Sequence, residues 1–115
     1  MNKYRDKSDF EINKAVAIAL GKVIGIRPDS NIIYLIGGDE LIEFDPCNNP
    51  ADAMPIVIEN GISLIFDTGR KAWVAGIAYW VDGCEWQISY EVERMNQYRA
   101  AMELFLMMKD AENEK

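Results

Sequence analysis

Residues 71–92 read KAWVAGIAYWVDGCEWQISYEV, and this stretch decides the class of the fold. Two runs rich in β-branched and aromatic side chains, Lys71–Val81 and Cys84–Val92, flank Asp82-Gly83, a dipeptide typical of the type I′ turn of a β-hairpin. In the second run apolar residues alternate with polar ones, which predicts one buried face and one solvated face. The predicted buried residues are Trp86, Ile88 and Tyr90.

Helices and strands are both predicted before this hairpin. Ser8 and Glu11 have the spacing of a capping box, so a helix is expected to begin there, and Asn49-Pro50 is typical of a second helix start. Pro55 is expected to kink this second helix or to make it partly 3₁₀. The predicted elements are helix Asp9–Leu20, strands Lys22–Ile26, Asn31–Ile36 and Leu41–Phe44, helix Pro50–Glu59 and strand Ile62–Phe66.

A closing helix is predicted from the N-cap Asn96 to about Glu112. Its apolar side chains spread around most of the helix, more widely than the single stripe that contact with one sheet requires. Either the first helix covers the remaining side or a second subunit does, in a symmetric homodimer. The residues assigned to this possible self-association are Met102, Phe105, Met107 and Met108.

Together these elements predict a single α+β domain over residues 1–115. We expect a mostly antiparallel sheet of five or six strands, covered by the N-terminal and C-terminal helices, with the central helix inserted between the strand groups. The composition agrees with a folded domain, because 50% of the residues are hydrophobic and 27% are charged, unlike an intrinsically disordered chain.

Rare and missing residue types exclude several kinds of chemistry. The chain has no histidine, which removes Ser-His and Cys-His nucleophile pairs and imidazole-based zinc sites. Its two cysteines, Cys47 and Cys84, fit neither a disulfide framework nor a four-ligand metal site. The cysteine count therefore favours a reduced protein. Because we find no secretion signal and no apolar run of spanning length, we expect a cytoplasmic protein that does not enter a membrane. We expect no cofactor.

Negative charge is concentrated in the middle of the sequence. The net charge is −7, and residues 31–69 contain seven Asp and Glu but no Lys or Arg. A phosphate backbone is bound through Lys and Arg, so we expect no binding to nucleic acid. The segment is either a solvated face or an acidic face that engages a basic partner. The candidate binding residues of such a face are Asp39, Glu40 and Glu43.

The loop between Asp45 and Asp52 is the second candidate site. It leads into a helix N-terminus, where free N–H groups favour an anion and could lower the pKa of a thiol, although the two flanking aspartates oppose this. Its asparagine amides could bind the polar edge of a small ligand, or they could only cap the helix and turn the chain. The candidate binding residues of this loop are Cys47, Asn48, Asn49 and Asp52.

Two further sets of side chains have the chemistry of a candidate site. The carboxylates between Asp39 and Asp45 are of the type that binds Mg²⁺ or Ca²⁺, but no binding-loop motif accompanies them, so no metal is predicted. An aromatic set could line an interface or a ligand-binding face, although a place in the core is the commoner role. Its members are Trp73, Tyr79, Trp80, Trp86 and Tyr90.

Three stretches of the sequence resemble the NinX-like family of bacteriophage proteins. They are SDFEINKAVA (residues 8–17), CNNPADAMPI (47–56) with ENGISL (59–64), and RAAM (99–102) continuing to LMM (106–108). The resemblance implies a protein of lambda-like phages or prophages that is made in the bacterial cytoplasm. It implies no particular biochemical activity.

These observations lead to one favoured function and two alternatives. We expect a non-enzymatic accessory protein that binds a host or phage protein in the bacterial cytoplasm. The first alternative is a small-ligand-binding or hydrolytic protein that uses the Asp45–Asp52 loop as its site. The second is an acidic protein that mimics DNA.

Overall fold

A computed structural model describes residues 2–27 and 29–114 and contains three helices and six strands over those residues. Every predicted element is present, with ends displaced by no more than two residues. None of the helices in the described ranges combines the length and the apolar character needed to cross a bilayer. The elements are α1 (Asp9–Ala19), β1 (Ile24–Ile26), β2 (Ile33–Gly37), β3 (Glu40–Phe44), α2 (Pro50–Glu59), β4 (Ser63–Asp67), β5 (Ala72–Val81), β6 (Glu85–Arg94) and α3 (Gln97–Asn113).

The helices begin where the local sequence predicts. The Ser8 hydroxyl accepts a hydrogen bond from the Glu11 N–H (3.1 Å) and the Glu11 carboxylate accepts one from the Ser8 N–H (3.3 Å), which completes the capping box. Helix α2 is α-helical throughout, so the 3₁₀ alternative is wrong, while the kink expected at Pro55 stays a prediction. Pro55 has no backbone N–H, so the carbonyl of Ala51 lacks its usual partner within the helix. Both residues are exposed, and water can take the place of the missing hydrogen bond.

The strands form two sheets rather than one. In the first sheet β1, β2 and β3 pair in that order, in the second β4, β5 and β6 do, and all pairings are antiparallel. The α+β class is confirmed, but the predicted single sheet of five or six strands is wrong. The division falls at α2, which lies between β3 and β4 where a tight turn would be needed to continue one sheet. Helix α1 packs on β2 of the first sheet, and α3 packs on β5 and β6 of the second. Helices α1 and α3 also pack on each other.

Helix α3 forms the centre of the core. All residues from Ala100 to Leu106 are buried, on every side of the helix, because α1, α2, β5 and β6 surround it. Met102 and Phe105 are fully buried within the chain, whereas Met107 and Met108 keep partial exposure. Helix α1 therefore covers one side of α3. The homodimer stays a prediction, and of the four residues assigned to it only Met107 and Met108 are accessible to a second subunit.

A β-bulge interrupts the pairing of β5 and β6. Ala75 pairs with Val92, and the next pair is Ile77 with Ser89. One residue of β5, Gly76, therefore lies opposite two residues of β6, Tyr90 and Glu91. Tyr90 lies in the bulge and has a φ of 57°. The extra residue in β6 reverses the alternation of side chains between the two faces of the sheet beyond this point.

This reversal changes which side chains of β6 are buried. Trp86 and Ile88 pair with Trp80 and Ala78, on the surface of the sheet that faces away from the core. Trp86 is 68% exposed, and Tyr90 is exposed as well. The predicted buried face of Trp86, Ile88 and Tyr90 is therefore wrong, because sequence alternation assumes a strand without a bulge.

Gly76 lies opposite the bulge and allows a close contact between the two strands. A Cβ atom at this position would lie 2.3 Å from Cγ1 of Ile88 and 3.0 Å from the carbonyl oxygen of Ser89. Glycine inside a strand commonly marks such a close approach. The side chain of Ile88 can therefore lie across the backbone of β5.

The turn of the β5–β6 hairpin also differs from the prediction. Val81 pairs with Glu85, so the loop has three residues rather than two. Of these only Gly83 has a positive φ, at 74°, whereas a type I′ turn requires positive φ at both central residues. The hairpin is confirmed, but the predicted type I′ turn is wrong.

Candidate functional site

The loop between β3 and α2 contains the candidate residues Cys47, Asn48 and Asn49, and hydrogen bonds close it tightly. The N–H groups of Asn48 and Asn49 donate to the carbonyl of Asp45 (3.1 and 2.8 Å). The Asp45 N–H in turn donates to the carboxylate of Asp52 (2.9 Å), and the Asn49 side chain accepts from the N–H of residue 51 (3.0 Å) to cap α2. Asn49 and Asp52 therefore fix the start of α2.

A buried amide attaches this loop to α1. The Nδ2 of Asn13 donates to the Asp45 carboxylate (2.7 Å), and its Oδ1 accepts from the Cys47 N–H (3.0 Å). Both polar ends of this buried side chain are thus satisfied, as burial requires. Across the part of the chain that the structure describes, no buried side-chain nitrogen or oxygen lacks a partner.

Asn48 connects the loop to two other helix starts. Its Nδ2 donates to the carboxylates of Asp9 (3.2 Å) and Asp45 (3.1 Å), and its Oδ1 accepts from Asn96 (3.1 Å), the N-cap of α3. The N-termini of α1, α2 and α3 therefore meet here, and their partial positive charges stabilise the acidic side chains. We call this cluster the helix junction. Its members are Asp9, Asn13, Asp45, Asn48 and Asn96.

An ion-pair network continues from the helix junction into α3. Arg99 donates to Asp9 (2.7 Å) and to Glu103 (2.6 Å). Arg94 of β6 donates to both oxygens of Glu103, at 2.8 and 2.6 Å. Glu103 is completely buried, and the two arginines supply the charge and the hydrogen bonds that a buried carboxylate needs.

The same network holds the segment that precedes α1. The Asn2 amide donates to Glu103 (2.6 Å), and Nη2 of Arg99 donates to the carbonyls of Tyr4 (3.0 Å) and Lys7 (2.6 Å). These bonds join residues that are about a hundred positions apart in the sequence. Arg94, Arg99 and Glu103 therefore hold distant parts of the chain together. No sequence pattern indicates this role for them.

Cys47 lies beneath the helix junction rather than in an open site. Its side chain is completely buried. Burial, followed by the negative charge of Asp9, raises the pKa of this thiol well above its usual value. The lowering that a helix N-terminus could cause is outweighed. A buried, protonated thiol is a poor nucleophile.

We expect one reactive thiol in the native chain. Cys84 is exposed in the β5–β6 turn whereas Cys47 is buried, so a disulfide reagent at about pH 8 should modify Cys84 in the native protein and both thiols only after denaturation. The variant Cys84→Ser should be unreactive until it unfolds. Equal reaction rates for the two native thiols would contradict the burial of Cys47.

A pocket of about 270 Å³ opens beside the helix junction. Four junction residues contribute to its lining, and their side chains are already hydrogen-bonded to protein groups. Glu43 also lines the pocket, and its exposed carboxylate has no hydrogen bond to the described residues. Within residues 2–27 and 29–114, no three His, Cys, Asp or Glu side chains are grouped to hold a metal ion. The pocket can admit a small polar molecule near Glu43.

The three acidic candidates lie on the β2–β3 hairpin. Asp39, Glu40 and Glu43 are all exposed, and only Glu43 borders the pocket. The structure thus separates the candidate binding residues into an exposed acidic hairpin and a loop whose side chains hold helices together.

Comparison with known proteins identifies the family. Residues 3–109 match the protein family described as "Bacteriophage P22, NinX". The chain belongs to the NinX family. No curated protein matches it. Family membership confirms the resemblance and makes the chain a phage accessory protein, but it assigns no activity.

The three stretches that carry the NinX resemblance meet at or next to the helix junction. The first stretch supplies the junction residues Asp9 and Asn13, and the second supplies Asn48. Cys47 of the second stretch and Arg99 of the third are hydrogen-bonded to Asn13 and Asp9. The resemblance therefore falls on residues that hold the helices of this chain together.

The second sheet exposes an apolar surface that includes Trp86 and Ile88, two residues that the sequence pattern placed in the core. Cross-strand pairing places Ile65 beside Val74, Ala78 beside Ile88 and Trp80 beside Trp86. The rings of the two tryptophans meet edge to face, with centroids 5.5 Å apart. None of these six described side chains belongs to the core. We call this surface of the NinX chain the outer face. Its members are Ile65, Val74, Ala78, Trp80, Trp86 and Ile88.

Proposed function

We propose that the chain is a non-enzymatic accessory protein that binds a host or phage protein in the bacterial cytoplasm, and that the outer face is its binding surface. The observation that carries this proposal is the exposure of three large side chains on one surface: Trp86, Trp80 (49%) and Ile65 (47%). Monomeric proteins rarely expose contiguous apolar patches larger than a few hundred Å², and tryptophan is enriched among the residues that dominate binding energy.

The chemistry of the Asp45–Asp52 loop supports the non-enzymatic part of the proposal. The Cys47 thiol is buried, and the carboxylates of Asp45 and Asp52 accept hydrogen bonds from protein groups. The chain also has no histidine to serve as a general base. A small-ligand site is the second candidate, favoured by the pocket beside Glu43, and native mass spectrometry of the purified protein would detect a retained ligand.

Affinity capture from phage-infected cells, followed by mass spectrometry, tests the binding surface. We expect Trp86→Ala to weaken capture of a specific partner at least about tenfold, because it removes a large apolar contact from the interface. The variant should remain folded, because the Trp86 side chain is exposed. Ile58→Asp is the control, since Ile58 is exposed on α2 and outside the outer face.

Two results would count against this proposal. Undiminished capture by Trp86→Ala and by Ile65→Asp would contradict the outer face as the binding surface. A captured DNA-binding protein that free DNA displaces would instead favour an acidic DNA mimic.

A further inference from the structure

We infer that the outer face binds an extended segment of a partner protein in which Lys or Arg alternates with aliphatic side chains. This inference rests on the proposed function and specifies the chemistry of the partner.

The shape of the surface suits an extended chain. Two adjoining concavities of about 350 and 440 Å³ share Ile65, Ile88 and Glu91, so they form one groove across the three strands. Val74 and Ala78 also line it. Aliphatic side chains of an extended segment, which project on alternate sides of its backbone, can pack against this apolar lining.

The charge of the surface selects a basic partner. The groove is lined by three acidic side chains, Asp67, Glu91 and Glu93, and by one basic side chain, Arg70. Arg70 is paired with Glu93 (2.8 Å), whereas Glu91 forms no ion pair with the described residues. A second copy of the chain would bring the same negative charges together, which is unfavourable, so we identify the occupant as a basic segment of another protein.

The exposed tryptophans add a second means of recognising a cation. The indole rings of Trp80 and Trp86 lie on the outer face, where Trp86 and Glu91 line the same concavity, and the face of an indole ring attracts the guanidinium of Arg or the ammonium of Lys. A cation can therefore contact a ring while a neighbouring carboxylate balances its charge. An acidic or uncharged apolar segment would lose both interactions.

Three matched synthetic peptides of about eight residues test the inference. One alternates Lys with Val, one replaces each Lys by Glu, and one replaces each Val by Ser. Binding is followed by NMR through the indole N–H signals of Trp80 and Trp86, with Trp73 as an internal reference because it is not part of the outer face. We expect saturable shifts of the first two signals with the Lys-Val peptide, and affinity at least about tenfold lower for the other two peptides.

Charge variants separate recognition from general attraction to an acidic protein. Glu91→Gln should weaken binding of the Lys-Val peptide several-fold, whereas Glu59→Gln, which removes the same charge from an exposed residue outside the groove, should not. Equal losses in the two variants, equal affinity for the Glu-Val peptide, or no shift of the Trp80 and Trp86 signals would overturn the inference. If Trp86→Ala still abolishes capture of the natural partner while Glu91→Gln does not alter it, the proposed function stands and this inference fails.

Discussion

Replacing Phe105 by Ala is expected to destabilise the protein by about 3–5 kcal/mol, because it leaves a cavity in a core that cannot fully collapse around it. Phe105 is completely buried in α3, the helix that α1, α2 and the second sheet enclose. Chemical denaturation followed by circular dichroism measures the loss. The variant Met108→Ala, on the same helix but only partly buried, should lose less.

The concentration dependence of this effect distinguishes the two explanations of the apolar α3 helix. If α3 is buried within one chain, the loss in Phe105→Ala is the same at low and high protein concentration. A loss that grows on dilution would show that a second subunit covers part of the helix. That outcome would support the homodimer and would contradict burial within a single chain.

Replacing Glu103 by Gln is expected to cost about 3 kcal/mol of stability. Removing one charge from a buried ion pair costs about 3–5 kcal/mol, because the remaining charge is left without a partner. We expect a value at the low end of this range, because the side chains of Arg94 and Arg99 are 21% and 12% exposed, so water can partly solvate them. Thermal unfolding and urea denaturation both measure the change.

A surface ion pair provides the matched control for this prediction. Glu93→Gln removes the same charge from the exposed pair with Arg70, and its effect on the unfolding midpoint should be within experimental error. If the two glutamine variants unfold at the same denaturant concentration, the buried network does not hold the N-terminal segment on α3.

Local sequence predicted the helices well because capping involves residues within a few positions of one another. The pairs Ser8 with Glu11 and Asn49 with Pro50, together with Asn96, mark the three helix starts. The division into two sheets depends instead on which helix packs on which strand. Such contacts join residues far apart in the chain and leave no periodic signal.

The outer face is hard to predict from the sequence for a different reason. Alternation placed Trp86 and Ile88 in the core, and one extra residue near Tyr90 moved them to the outer face. A positive φ at a tyrosine has no sequence signature, and only Gly76 inside a strand pattern could have indicated an irregularity. The polar residues of the loop were predicted as caps, but their meeting with α1 and α3 arises from tertiary packing.

The central position of α3 also determines when the protein can fold during its synthesis. Ribosomes release a chain from its N-terminus, so α1, both sheets and α2 emerge before the residues from 97 to 113 that they pack against. Until α3 is released, the apolar surfaces that it will cover stay accessible to chaperones and proteases. The nascent chain therefore completes its core only after translation of this last helix.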